Sequence, residues 1–188
     1  MFIWPSAPVL AQFIWHFKDQ FRNKTIIELG CGTSLPGIVA CKIGAKVTFT
    51  DGHNLTNCLD LCKKNVEQNQ IDDYKIMPLT WGHFDQELVE LNHFDLIISS
   101  DCFYDQKDFE DILVTVSYLI DKHPNKTTVF YTSYQERCSD WSIQCLLDEY
   151  NLKCEYINLH QFHADSDSIA GSNLPGRHTI HLFKITKK

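Results

Sequence analysis

The chain has 188 residues, 44% of them hydrophobic and 22% charged, with a formal net charge of −7. This is the composition of an ordinary folded domain, large enough for a sheet covered by helices on both faces, and no apolar run approaches the length that spans a bilayer. The acidic balance argues against direct nucleic-acid binding, which needs clustered Lys and Arg, and suits a basic partner.

From Pro8 to about Phe21, Val9, Leu10, Phe13, Ile14 and Phe17 recur at helical spacing. Thr25–Leu29 reads as a short buried strand ending at Gly30, and Pro36 opens a helix that Gly44 stops. Lys46–Thr50 is a second strand ending at Asp51, followed by a helix with Leu55, Leu59, Cys62 and Val66 on one face. Tyr74–Leu79 and Phe94–Ser100 are the third and fourth strands. The next helix carries Phe109, Ile112, Leu113, Val116, Leu119 and Ile120 in one stripe. Thr127–Tyr134 is a fifth strand, and Ser139 is the expected N-cap of a helix bearing Trp141, Cys145 and Leu146. Leu152–Leu159 and His178–Thr186 follow with no helix between them. The alternation predicts one α/β domain over residues 1–188: a mostly parallel seven-stranded sheet, helices on both faces, and a C-terminal antiparallel hairpin.

Eight cysteines occur without any Cys-x-x-Cys pair. Cys58 and Cys62 lie in a helical pattern with no complementary histidine pair, so reduced thiols and no metal site are expected. Met1–Pro5 lacks the basic and apolar segments of a signal peptide, and a cytosolic or nuclear location is the default expectation.

In open α/β sheets ligands bind beyond the carboxyl ends of the strands. The loop Glu28-Leu29-Gly30-Cys31-Gly32-Thr33-Ser34-Leu35-Pro36-Gly37 lies at such an end, where Gly30 and Gly32 let the backbone turn and approach a ligand. Asp51, ending the next strand, stands where a carboxylate accepts from a ribose diol. Together these predict a nucleoside site. A dinucleotide loop wants glycine at the position held by Leu35, and no P-loop lysine is present. A loop without phosphate machinery, preceded by Glu28, suits the amino-acid end of S-adenosyl-L-methionine.

Trp4-Pro5-Ser6-Ala7, Glu28-Leu29-Gly30-Cys31-Gly32, Thr80-Trp81-Gly82 and Ser100-Asp101-Cys102-Phe103-Tyr104 follow one another in order. With them the chain resembles the seven-β-strand protein methyltransferases of the family-sixteen type, over essentially its whole length. The resemblance implies a Rossmann-like class I methyltransferase domain whose residues 1–24 form a cofactor-closing segment and helix. It implies that Trp4 closes over the cofactor, that Gly30, Cys31 and Gly32 follow its amino-acid moiety, and that Asp51 meets the ribose. Trp81 would pack on the adenine, Ser100 would line the floor, and Asp101-x-x-Tyr104 would flank the methyl-accepting pocket. The usual last loop glycine is replaced by Ser34.

The expected activity is S-adenosylmethionine-dependent methylation of a basic side-chain nitrogen in a protein. Asp101 orients the acceptor, with a cationic acceptor as its charge partner, and Tyr104 walls the channel. The closer resemblance implies a histone arginine; the broader family implies lysine, and a cofactor-binding interaction module is the alternative from another class. A strand-four stretch of Ser100-Asp101-Cys102-Phe103, where nucleobase enzymes carry Asn-Pro-Pro-aromatic, disfavours nucleobase methylation. A monomer in nucleus and cytoplasm is expected; within the long polar segment His163–Gly176, the stretch His163–Ser168 near the pocket rim reads as a solvated loop or, alternatively, a recognition element for a basic peptide.

Overall fold

The computed structural model describes residues 2–188. The strands are β1 (Thr25–Leu29), β2 (Lys46–Asp51), β3 (Tyr74–Pro78), β4 (Leu96–Ser100), β5 (Val129–Gln135), β6 (Leu152–Ile157) and β7 (Ile180–Lys187). They form one sheet in the order β3-β2-β1-β4-β5-β7-β6, in which β7 runs antiparallel to both of its neighbours. The expected hairpin is therefore present, with β7 inserted between β5 and β6.

The helices are α1 (Ser6–His16), α2 (Lys18–Phe21), α3 (Leu35–Lys42), α4 (Thr56–Gln68), α5 (Gln86–Glu90), α6 (Phe109–Lys122) and α7 (Gln144–Glu149). One face of the sheet carries a core built from Val9, Leu10, Phe13, Ile14, Ile38, Cys62 and Val66, contributed by α1, α3 and α4. The other face is covered by α6 and α7 through Ile112, Leu113, Val116, Leu119, Ile120 and Leu147. The α6 stripe is buried as its spacing requires. Each such Ile or Leu contributes about 1.5–3 kcal/mol. Ile26, Ile27 and Leu29 of β1 are wholly buried, because a central parallel strand is covered on both faces.

Three local expectations are corrected. The first helix is interrupted at Phe17, whose ring packs on Phe13 at 5.0 Å while its N–H still reaches the Phe13 carbonyl at 3.0 Å. The helix expected to start at Ser139 begins at Gln144, because Trp141 leaves the helical path to pack edge-on against Phe109 at 5.6 Å. Ser142, not Ser139, accepts the N–H of Gln144 at 3.2 Å. The short α5 escaped the periodicity reading; its signal is Asp85, whose carboxylate caps the Leu88 N–H at 2.8 Å.

The sheet order reverses direction between β1 and β4, so the loops leaving these two strands diverge to opposite faces. A crevice opens between them at the carboxyl end of the sheet, and it holds the residues that matter below.

Candidate active site

A cavity of about 580 Å³ occupies that crevice, walled by the β1, β2 and β4 ends and the segments following β3 and β5. Trp4, Gly30, Gly32, Asp51, Trp81, Ser100, Asp101 and Tyr104 all line it. Eight of the ten expected site residues thus come together from five separate stretches of chain.

The glycine loop is shaped by backbone conformation. Gly30 and Gly32 have φ of +65° and +49°, in the left-handed region where a side chain is disfavoured. A Cβ on Gly30 would lie 3.0 Å from Cζ2 of Trp81, so the bare glycine lets the indole approach the loop closely. Asp51 braces the same loop: one carboxylate oxygen accepts the Gly32 N–H at 3.0 Å and the other that of Gly52 at 2.9 Å. Burial pushes the Asp51 carboxyl above its ordinary range, and these two N–H groups pull it back. His53 and Thr80 join the neighbouring loops, with the His53 N–H on the Thr80 hydroxyl at 3.1 Å.

Trp4 and Tyr104 are 57% and 49% exposed and stand at the mouth, available to a ligand or an incoming chain. Between them the floor is polar. The Ser99 hydroxyl donates to the Leu29 carbonyl at 2.7 Å, which ties the end of β4 to the end of β1.

Two expected residues have their side chains outside the cavity wall. Glu28 points beneath the loop: it is buried, its Oε2 has no hydrogen-bond partner, and a Cβ on Gly37 would overlap that atom. Burial holds its carboxyl well above the usual range. A carboxyl on a central strand, below the glycine turn, faces the α3 side of the sheet. The Cys31 thiol is likewise buried, 4.0 Å from Oδ2 of Asp51, and packing beside Cys62 and burial push it up. Its backbone N–H, which donates to Thr50 at 2.8 Å, fixes the loop's exit.

Asp101 holds a different partner from the one expected. Arg137, from the loop after β5, closes on it through a fork: Nη1 donates to Oδ1 at 2.8 Å and Nη2 to Oδ2 at 2.7 Å. The Gln135 N–H adds a third bond to Oδ1 at 3.2 Å. The Asp101 side chain is 3% exposed and that of Arg137 24%. Removing one partner of such a pair typically costs roughly 3–5 kcal/mol, because the other charge is stranded. The cation beside Asp101 is thus supplied by the chain itself. Nor does Asp101 cap the next helix; Asp105 does, accepting the Lys107 N–H at 3.2 Å.

Arg137 was missed by sequence reasoning, although a rule was at hand to find it. A buried Asp at a strand end requires a cation, and the loop after the neighbouring parallel strand is where to seek one. Leu55, Cys58, Leu79, Asp108 and Asp111 also line the cavity without having been expected there. Asp111 lies against Gly82, whose φ of +72° and missing Cβ leave it room.

The segment His163–Gly176 does not line this cavity. Ile169, Ala170, Ser172 and Leu174 fold back toward Pro8, Ala11, Trp15 and Val39 around a second, apolar hollow of about 440 Å³. Phe162, Ala164 and Ile169 are buried and anchor the segment there. Among the described residues no group of three or more His, Cys, Asp or Glu side chains is placed to hold a metal, and no helix is long and apolar enough to cross a membrane.

A glycine turn at the switch point, a carboxylate closing the second strand and an indole laid on the turn make a nucleoside cradle without a phosphate-binding lysine. Solved structures share the frame. A TehB-like methyltransferase from Corynebacterium glutamicum superposes with a TM-score of 0.62 at 17% identity, covering 100% of this chain and 89% of that one. Magnesium protoporphyrin IX methyltransferase from Synechocystis, solved with bound S-adenosylmethionine, gives 0.62 at 13% identity, covering 98% and 80%. Fold and site together define a class I S-adenosylmethionine-dependent methyltransferase.

The family profile described as lysine methyltransferase matches residues 1–144, and the chain belongs to that family. Histone-arginine methyltransferase METTL23 of Xenopus laevis is 44% identical over 186 residues, covering 99% of this chain and 79% of that protein. The Homo sapiens METTL23 is 41% identical, covering 99% and 97%. Protein N-lysine methyltransferase METTL21A of Danio rerio is 35% identical over 118 residues, covering 62% of this chain and 54% of that one. S-adenosylmethionine is the cofactor of this enzyme.

Proposed function

We propose that the chain methylates an arginine side chain in a basic segment of a protein, with a histone as the first candidate. The observation that carries the choice of acceptor is the reach of the similarity. The histone-arginine enzymes match 99% of this chain, whereas the lysine enzyme METTL21A matches 62%. The cavity supports a basic acceptor, since Asp51, Asp101, Asp108 and Asp111 line it against one cation, Arg137.

Bound S-adenosylmethionine supplies an electrophilic methyl group on a sulfonium. In this reading Gly30, Gly32 and Asp51 hold its amino-acid and ribose portions, Trp81 packs on the adenine, and Trp4 closes the mouth. The acceptor nitrogen would take up that methyl carbon as the carbon–sulfur electron pair stays on sulfur, and the displaced proton would leave to solvent at the mouth of the cavity. There is little covalent work for the protein, and alignment of the nitrogen in a dry channel supplies most of the effect. Asp101 and Tyr104 are the aligning groups in this proposal. The protein would act as a monomer in nucleus and cytoplasm without contacting nucleic acid.

Purified core histones and tritiated S-adenosylmethionine test this, with the labelled residue identified by mass spectrometry. Methylarginine that disappears with Asp101→Ala supports the proposal. Methyllysine on the same proteins, or unchanged labelling by the variant, overturns the acceptor or the role of Asp101 respectively.

A further inference from the structure

The Asp101–Arg137 pair is more constrained than a stabilising ion pair needs to be. Asp101 has φ of +64°, in the left-handed region that Asp enters more readily than most non-glycine residues, and it lies where β4 meets the cavity. The guanidinium is held from both sides, because Nη1 also donates to the Gln135 carbonyl at 3.0 Å. A carboxylate offers about four lone-pair positions. Oδ1 spends two, on Gln135 N–H and Nη1, and Oδ2 spends one on Nη2. One position on Oδ2 is left.

We propose that Arg137 is a positioning residue for methyl transfer: it acts through Asp101, keeping that carboxylate aimed and reduced to a single free acceptor position. The acceptor side chain then meets Asp101 through one N–H···O contact and not through a bidentate fork, which Arg137 already occupies. This account rests on the reading that Asp101 faces the acceptor. It also assigns the neighbouring loop after β5 a part in the reaction that the β4 motif alone does not contain.

The test measures initial rates of tritium transfer from saturating S-adenosylmethionine, with dialysed nuclear and cytosolic extract as the source of acceptors. Wild type, Asp101→Asn, Arg137→Ala, Arg137→Lys and the double variant Asp101→Asn/Arg137→Ala are compared, with folding checked by thermal denaturation. The expected result is a tenfold or larger fall for Arg137→Ala, a smaller one for Arg137→Lys, and a double variant no slower than Asp101→Asn. Affinity for S-adenosylmethionine by calorimetry is expected to stay within twofold for every folded Arg137 variant. Added methylguanidinium is expected to restore rate to Arg137→Ala and leave wild type unchanged, which loss of stability alone does not produce. If Arg137→Ala does not fold, Arg137→Lys carries the test, and a full rate from it overturns the fork. An inactive Asp101→Asn beside a fully active Arg137→Ala overturns the role of Arg137 and leaves that of Asp101 standing. A fully active Asp101→Asn overturns the reading beneath it. Weakened cofactor binding by the Arg137 variants places Arg137 on the cofactor instead, and also overturns the proposal.

Discussion

Replacing Ser34 by glycine should make the protein more stable. Ser34 stands where relatives of this fold usually carry the last glycine of the loop, and its backbone is left-handed, with φ of +64°. The Ser34 N–H donates to the Cys31 carbonyl at 2.6 Å and its carbonyl accepts from Ile38 at 2.9 Å, so the turn and the start of α3 enforce that conformation. The hydroxyl gains little in exchange, being buried with no oxygen or nitrogen partner and only the weakly bonding Cys62 thiol beside it. Left-handed backbone costs a non-glycine residue about 1–2 kcal/mol. A buried, unpaired hydroxyl costs about 1–3 kcal/mol. Against these, glycine loosens the unfolded chain by roughly 0.4–1 kcal/mol. The balance favours Ser34→Gly by about 1–4 kcal/mol, or roughly 2–16 °C in Tm for a domain of this size. Urea and thermal unfolding read it directly, and Ser34→Ala separates the contributions, since it removes the hydroxyl and keeps the backbone strain. A Ser34→Gly protein less stable than wild type by 1 kcal/mol would refute the reasoning, showing that the hydroxyl has a partner worth more than the strain.

Further outcomes follow from the cavity and from the carboxyl beneath its loop. Trp81→Ala removes an apolar face worth about 1.5–3 kcal/mol, so the dissociation constant for S-adenosylmethionine should rise roughly tenfold to hundredfold in calorimetry; an unchanged constant removes Trp81 from the cofactor site. Asp51→Asn loses a charged acceptor worth about 1.5–3 kcal/mol and should weaken the same affinity by a similar factor. In the wild type, protonating Asp51 should weaken binding as pH falls, starting above the ordinary carboxylate range because burial raises this group; a pH profile shared by wild type and Asp51→Asn would exclude Asp51 as the cause. Glu28 keeps in the folded state a proton that the unfolded chain releases, so its contribution to stability declines as pH rises from the ordinary carboxylate range towards its raised value. Glu28→Gln should flatten that decline in urea titrations at about pH 5 and pH 8, and an equal slope in both proteins would show that Glu28 is ionised when folded.

The sheet was legible because its strands are short, apolar and punctuated. Thr25–Leu29 followed by Gly30, and Lys46–Thr50 followed by Asp51, place two strand ends unambiguously, and parallel pairing then brings them together. The α6 stripe was legible for the same reason, since its six apolar positions have nowhere else to face. Less could be read where tertiary contacts override local pattern. Trp141 is at helical spacing from Cys145, yet its ring is worth more against Phe109 than in a further turn of helix. The polar run from His163 reads as a solvated loop, but Ile169 and Phe162 draw it onto α1. In the site, backbone-driven features such as Gly30, Gly32 and Asp51 showed in the spacing, while side-chain direction did not. Glu28 precedes the glycines yet turns beneath them. Asp101 announced the need for a cation, and only the structure identified that cation as Arg137.

In the proposed reaction this cavity delivers a methyl group to a basic nitrogen of a protein. The most direct measurement is tritiated-methyl labelling of dialysed nuclear and cytosolic extract by the wild-type chain, with the modified residue identified by mass spectrometry and Asp101→Asn run in parallel. Label on arginine within a basic protein segment, lost in the variant, is the predicted result. Label confined to nucleic acid or small molecules, or labelling that persists undiminished in Asp101→Asn, would contradict it.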